Sequence, residues 1–183
     1  MRFLSKDQET TLLASYAPHV APVAETLCWQ GLRIGEALRL DWRNVNWTAN
    51  SLFLADTKSG EPRTVTLHRR VRASLHKLWV GLGSPSEGSV FLNRRGRPYA
   101  DPRQYKLPGG SPIRSAHKTA CKRAGIKNFR VHDWRHHWAC QCVMAGIDLE
   151  TIRQEGGWKS LRMVERYATV SAEHRARAMK KLR

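Results

Sequence analysis

Residues 132–139 read H-D-W-R-H-H-W-A, and beyond an apolar helical run residues 156–168 read G-G-W-K-S-L-R-M-V-E-R-Y-A. Three polar features of different chemistry stand here at intervals that a helix–turn–helix path can bring together. They are His132 with Arg135, the indole of Trp158 after a double glycine, and Tyr167 after an arginine. On a helix, residues i and i+3 share a face, so His132 and Arg135 are expected to point the same way. A guanidinium is a rigid fork of donors that matches a phosphate, and an imidazole gains or loses a proton near neutral pH. A tyrosine hydroxyl can serve as a covalent nucleophile. Each residue alone has an ordinary structural explanation; together they imply attack by tyrosine on a phosphodiester.

The composition agrees with a polyanionic partner. The chain has 183 residues, a length suited to one domain, and 41 % of them are hydrophobic, enough for a sizeable core. Lys and Arg number 32 against 15 Asp and Glu, a net charge of +17. Such an excess on a folded domain marks a nucleic-acid surface, with an anionic membrane as the competing explanation. No run of about 18 apolar residues suggests a transmembrane helix. The N-terminal M-R-F-L-S-K-D-Q-E-T lacks the apolar core of a signal peptide. Cys28, Cys121, Cys140 and Cys142 form no C-x-x-C or zinc spacing, with Cys140 and Cys142 expected on different sides of one helix. They read as reduced, partly buried filler in a cytoplasmic protein.

Outward from the opening stretch, the chain is mainly helical. Ser5 and Gln8 have the spacing of a capping box for a helix to about residue 16, and residues 20–30 form a second. The segment G-L-R-I-G-E-A-L-R-L, residues 31–40, supplies a short helix on which Arg33 and Glu36 share a side. Residues 45–47, 51–55 and 64–67 read as three strands of a small antiparallel sheet, with Lys58 at a hairpin tip. An amphipathic helix is expected over residues 68–82, then a basic Gly/Pro loop over 93–112 and a basic helix over 115–124. Asp148 and Ser160 are expected to cap the helices that follow, and Ser171 a last basic helix over 172–182. The fold class is α+β, mainly α with a small antiparallel β-sheet. Arg69, Arg70, Arg94, Arg95, Arg97, Lys118 and Lys122 are candidate DNA contacts.

These motifs, in this order, resemble those of the tyrosine recombinase (phage integrase) catalytic domain. G-L-R-I-G-E matches that family's first arginine motif through Arg33 and Glu36, and T-K-S-G matches its hairpin lysine through Lys58. H-D-W-R-H supplies His132, Arg135 and His136, G-G-W supplies Trp158, and E-R-Y-A supplies Tyr167. The resemblance implies the recombinase fold over residues 1–183 as a single catalytic domain. It also implies a reaction. Tyr167 attacks the scissile phosphate, leaving a 3′-phosphotyrosine and a free 5′-hydroxyl. Arg33 and Arg135 clamp the non-bridging oxygens, Lys58 protonates the leaving oxygen, and His132 accepts the tyrosine proton. Trp158 donates its N–H to phosphate, while Glu36 and His136 give support. No metal, nucleotide or other cofactor is implied.

The implied partner is double-stranded DNA, with a homotetramer formed on it and a monomer expected for the domain alone. The implied setting is the cytoplasm of a bacterium, with the gene carried by the host, a phage or a mobile element. Three departures stand out: Gly156 where leucine is usual, which is expected to loosen the turn; Trp158 where histidine is commoner; and His137 where threonine is usual, taken as neutral. The family's N-terminal, SAM-like core-binding domain is expected to be absent, which predicts weak, salt-sensitive DNA binding. Two other readings fit less well: a type IB topoisomerase and a non-catalytic DNA-binding remnant of the same fold.

Overall fold

In the computed structural model the described residues are 3–55, 62–101 and 111–168. Lys58, the later part of the basic loop and the segment headed by Ser171 lie outside them. Ser5 opens α1 (Lys6–Ala14) through the expected capping box, its hydroxyl accepting from the Gln8 N–H while the Gln8 carboxamide accepts from the Ser5 N–H. Next comes α2 (Ala21–Gln30), nearly all apolar and deeply buried, with a proline in its first turn, where no hydrogen bond is lost. It ends at Gly31, whose φ of 63° turns the chain sharply into α3 (Ile34–Leu38).

A short 3₁₀ turn leads to strands β1 (Val45–Asn46), β2 (Ser51–Leu54) and β3 (Arg63–Thr66). They form one antiparallel sheet in the order β1-β2-β3, with Leu52 opposite both Val45 and Val65, so one face of the sheet is apolar. The third strand begins at Arg63, one residue earlier than the sequence suggests. Then follow α4 (Arg69–Gly81), capped by His68 and burying Val71 and Leu75, and α5 (Arg114–Arg123). The chain continues through α6 (Asp133–Met144), α7 (Leu149–Gly156) and α8 (Arg162–Ala168). Asp148 caps α7 as expected, its carboxylate accepting from the Thr151 N–H at 2.8 Å.

The central helix is α6. It packs against α2 on one side and against α7 and α8 on the other, separating the large core from a smaller cluster that contains Trp138, Trp158 and Tyr167. Cys140 and Cys142 are both buried, because α6 is enclosed on nearly every side, and all four cysteines are free. His137, expected as an inconsequential replacement, ties α1 to α6: its Nδ1 accepts from the Leu4 N–H and its Nε2 lies 2.8 Å from the Glu9 carboxylate. The sheet is tied to α7 by Glu155, which accepts from the edge N–H of Thr66 at 3.0 Å. No helix among the described residues is long and apolar enough to cross a membrane.

Candidate active site

Where α2 ends, α7 closes, α6 begins and α8 reaches its last turn, one cluster of arginines, indole and phenol is assembled. Gly31 initiates it. A Cβ there would stand 2.2 Å from the Trp138 ring, so the position requires glycine for both space and its positive φ. The freed carbonyl of Gly31 accepts Nη1 of Arg135 at 2.9 Å.

Arg33 stands just ahead of α3. Glu36 accepts its backbone N–H at 2.9 Å and its Nη1 at 2.6 Å, while its Nη2 donates to the Gly157 carbonyl at 2.9 Å. From β3, Arg63 places two nitrogens on the same carboxylate, at 3.2 and 3.1 Å, and reaches the carbonyls of Glu155 and Gly156. Those carbonyls carry the partial negative charge of a helix C-terminus, which favours a cation. One carboxylate, its side chain 1 % exposed, thus holds two guanidiniums. Burial resists its ionisation, but hydrogen bonds and charge from Arg63 and Arg33 prevail and hold its pKa below the ordinary value.

Arg135 lies in the first turn of α6 and is only 3 % exposed. Its guanidinium carbon rests 3.8 Å from the centre of the Trp158 ring. Nη2 is buried and, among the described residues, has no acceptor. Burial, then repulsion from Arg33, pulls its pKa down to about 9, so it stays charged at neutral pH.

Tyr167, on α8, is fully buried, and its hydroxyl lies 2.6 Å from Nδ1 of His136. The same Nδ1 lies 3.2 Å from Nη2 of Arg166. A guanidinium only donates, so Nδ1 is unprotonated and the phenol O–H donates to it. Burial, with repulsion from His132 and Arg166, depresses the His136 pKa to about 4. Burial raises that of Tyr167 against the pull of Arg166 and Arg135. The hydroxyl is therefore hydrogen-bonded to a base and still carries its proton.

The structure thus brings together Arg33, Glu36, Arg135, Trp158 and Tyr167. It puts His136, expected to give support, on the hydroxyl. His132 caps α6 from outside, is exposed, and meets His136 edge-on at 4.8 Å between ring centres. Of the candidate DNA contacts, Lys118 and Lys122 line a groove of about 1010 Å³ that reaches His132 and Ile34. Arg70 instead lies over the Trp29 ring at 4.6 Å, and Arg69, Arg94, Arg95 and Arg97 are exposed. Among the described residues no hydrogen bond or ring contact joins these five to the cluster. Sequence reasoning missed Arg63, Trp138 and Arg166. Arg63 did leave a signal, because the two-residue period of a strand puts it on the same face as buried Val65 and Leu67.

The depressed pKa of His136 has a measurable consequence. The unfolded chain binds that proton more tightly, so this group costs stability as pH falls from the ordinary 6.5 to about 4. His136→Gln removes the cost, and its thermal midpoint should fall less steeply over that range than the parent's. Parallel profiles would refute the assignment.

Comparison with known proteins gives the class. The profile of the phage integrase family matches residues 2–174, and the chain belongs to that family. It is 28 % identical over 182 residues to the integrase of Salmonella phage P22, covering 95 % of this chain and 45 % of that protein. Its fold superimposes on the crystal structure of the XerA recombinase with a TM-score of 0.79 at 21 % identity, covering 100 % of this chain and 66 % of that one. It also matches the Tn1549 transposon integrase in complex with circular intermediate DNA, with a TM-score of 0.75 at 15 % identity, over 98 % and 64 % of the two chains. The chain spans about half the length of the curated relatives it matches.

Proposed function

We propose that this chain cleaves and rejoins DNA strands in site-specific recombination, using Tyr167 as nucleophile. The observation that carries this reading is a buried donor, Nη2 of Arg135, left without an acceptor in the same cluster as a tyrosine hydroxyl bound to an unprotonated imidazole. A buried donor without a partner costs about 1–3 kcal/mol, and a phosphate oxygen would satisfy it. The family membership, the net charge of +17 and the DNA held by a structural neighbour support the same substrate.

In this mechanism the phenol oxygen attacks phosphorus, the bond to the 5′-oxygen breaks, and a 3′-phosphotyrosine remains. Arg33 and Arg135 neutralise the charge that grows on the non-bridging oxygens, and the Trp158 N–H adds a donor. His136 takes the phenol proton, and a phosphate anion seated on Arg135 raises its basicity by offsetting nearby positive charge. Lys58 supplies the proton to the leaving 5′-oxygen. Attack by a 5′-hydroxyl of a second duplex reverses the chemistry and exchanges strands, which in a homotetramer would unite two duplexes.

The test is a nicked oligonucleotide whose short fragment bearing the freed 5′-hydroxyl diffuses away after cleavage, incubated at low salt with a chelator present. An SDS-resistant, proteinase-sensitive protein–DNA band is expected. Bound DNA at saturating protein with no such band would refute the proposal, and relaxation of supercoiled plasmid without joined products would favour a topoisomerase.

A further inference from the structure

Arg135 has an unusual foundation for a buried cation. Among the described residues, a single hydrogen bond, to the Gly31 carbonyl, and the face of Trp158 hold it. Its place therefore depends on where that indole lies. Trp158 is 7 % exposed and hemmed in: Trp138 stacks against it at 6.1 Å and 13°, and the Tyr167 ring stands 5.7 Å away. Gly156 lies against the edge of its six-membered ring. A Cβ at that position would fall 1.9 Å from Cζ3 of the indole and 2.3 Å from Cε3.

Backbone geometry gives no reason for glycine at 156. The residue closes α7 without a positive φ, and the left-handed turn belongs to Gly157, at φ 66°. Within a helix glycine costs about 1 kcal/mol relative to alanine. The gain that offsets this is the room for the six-membered ring of Trp158. Resemblance to the family had suggested that glycine in place of leucine loosens this turn, but the indole fills the space.

We propose that Gly156 is a positioning residue. By lacking a side chain it seats the Trp158 indole between itself and Trp138, and the seated indole fixes Arg135 beside Tyr167. The proposal rests on the transesterification reading for its kinetic consequence, though not for its packing. It makes positions 156 and 158 interdependent: an indole at 158 requires glycine at 156, whereas an imidazole leaves room for a side chain there.

The experiment compares the parent with G156A, W158H and G156A/W158H. G156A should slow adduct formation about 100-fold, the scale of a displacement of about 1 Å in a reacting group, with DNA affinity and far-UV circular dichroism unchanged. Its near-UV spectrum should lose the coupled band of the Trp138–Trp158 stack. Adding W158H to G156A should recover at least about tenfold in rate, the sign of a coupled pair. A parental rate and near-UV spectrum in G156A, or a double variant no faster than G156A, would overturn the proposal. Should G156A fail to fold, folding of the double variant supports it and failure of both overturns it. If the parent itself forms no adduct, the proposed function fails, while the near-UV spectra still decide the packing.

Discussion

Tyr167→Phe is expected to abolish covalent attachment to DNA, by roughly 10⁴-fold or more, the scale on which loss of a nucleophile is felt in other enzymes. The change removes one oxygen from a fully buried side chain, whose ring keeps its contacts with Trp158 and His136. DNA binding and the thermal midpoint should therefore stay close to the parent's. The lost hydroxyl leaves Nδ1 of His136 with Arg166 as a donor, so no polar atom is stranded. Persistence of the SDS-resistant band in this variant would place the nucleophile elsewhere.

Glu36→Ala should give the largest loss of stability. Glu36 is buried, and its carboxylate is the shared counter-ion of Arg33 and Arg63. Removing one partner of a buried ionic cluster typically costs about 3–5 kcal/mol. Both arginines keep helix-terminal carbonyls, so the low end applies: about 3 kcal/mol, or roughly 6–12 °C in thermal midpoint for a chain of this length. The pH dependence follows from the lowered carboxyl pKa. The stabilisation is fully present above the unfolded carboxyl's ordinary 4.5 and is lost as pH falls through the folded value. The gap between parent and Glu36→Gln should therefore narrow in acid. A midpoint for Glu36→Ala within about 2 °C of the parent, less than about 1 kcal/mol, would show that solvent takes over the carboxylate's role.

How much of this was legible depended on the kind of signal. Arg33, Glu36, Arg135, Trp158 and Tyr167 were found by the order of short motifs, and the fold does bring them together. The capping box at Ser5 and the small sheet were legible because local hydrogen bonding and the two-residue period specify them. The helix that organises the site was harder to read, since α6 is buried on nearly all sides and displays no polar stripe that would set its rotation. With His132 as cap rather than as a helical residue, the i, i+3 rule did not govern its direction, and His136 came to face Tyr167. Gly156 and His137 were misread for one reason. Their meaning lies in a tertiary neighbour, an indole across a turn for one and Glu9 on the first helix for the other.

The tie between Arg33 and Gly157 spans 124 residues, that between Arg63 and Gly156 spans 93, and that between Arg135 and Gly31 spans 104. Contacts so distant along the chain carry a heavy loop-closure cost, which places them late on the folding route. Loss of one of these ties should accordingly speed unfolding and leave refolding almost unchanged, a shift confined to one arm of the chevron. A nascent or half-folded chain would then possess helices and charge but no assembled cluster of arginines, indole and phenol. On the proposed function, the ability to cut DNA would arrive only as these ties close, so a half-made protein would lack the means to nick DNA.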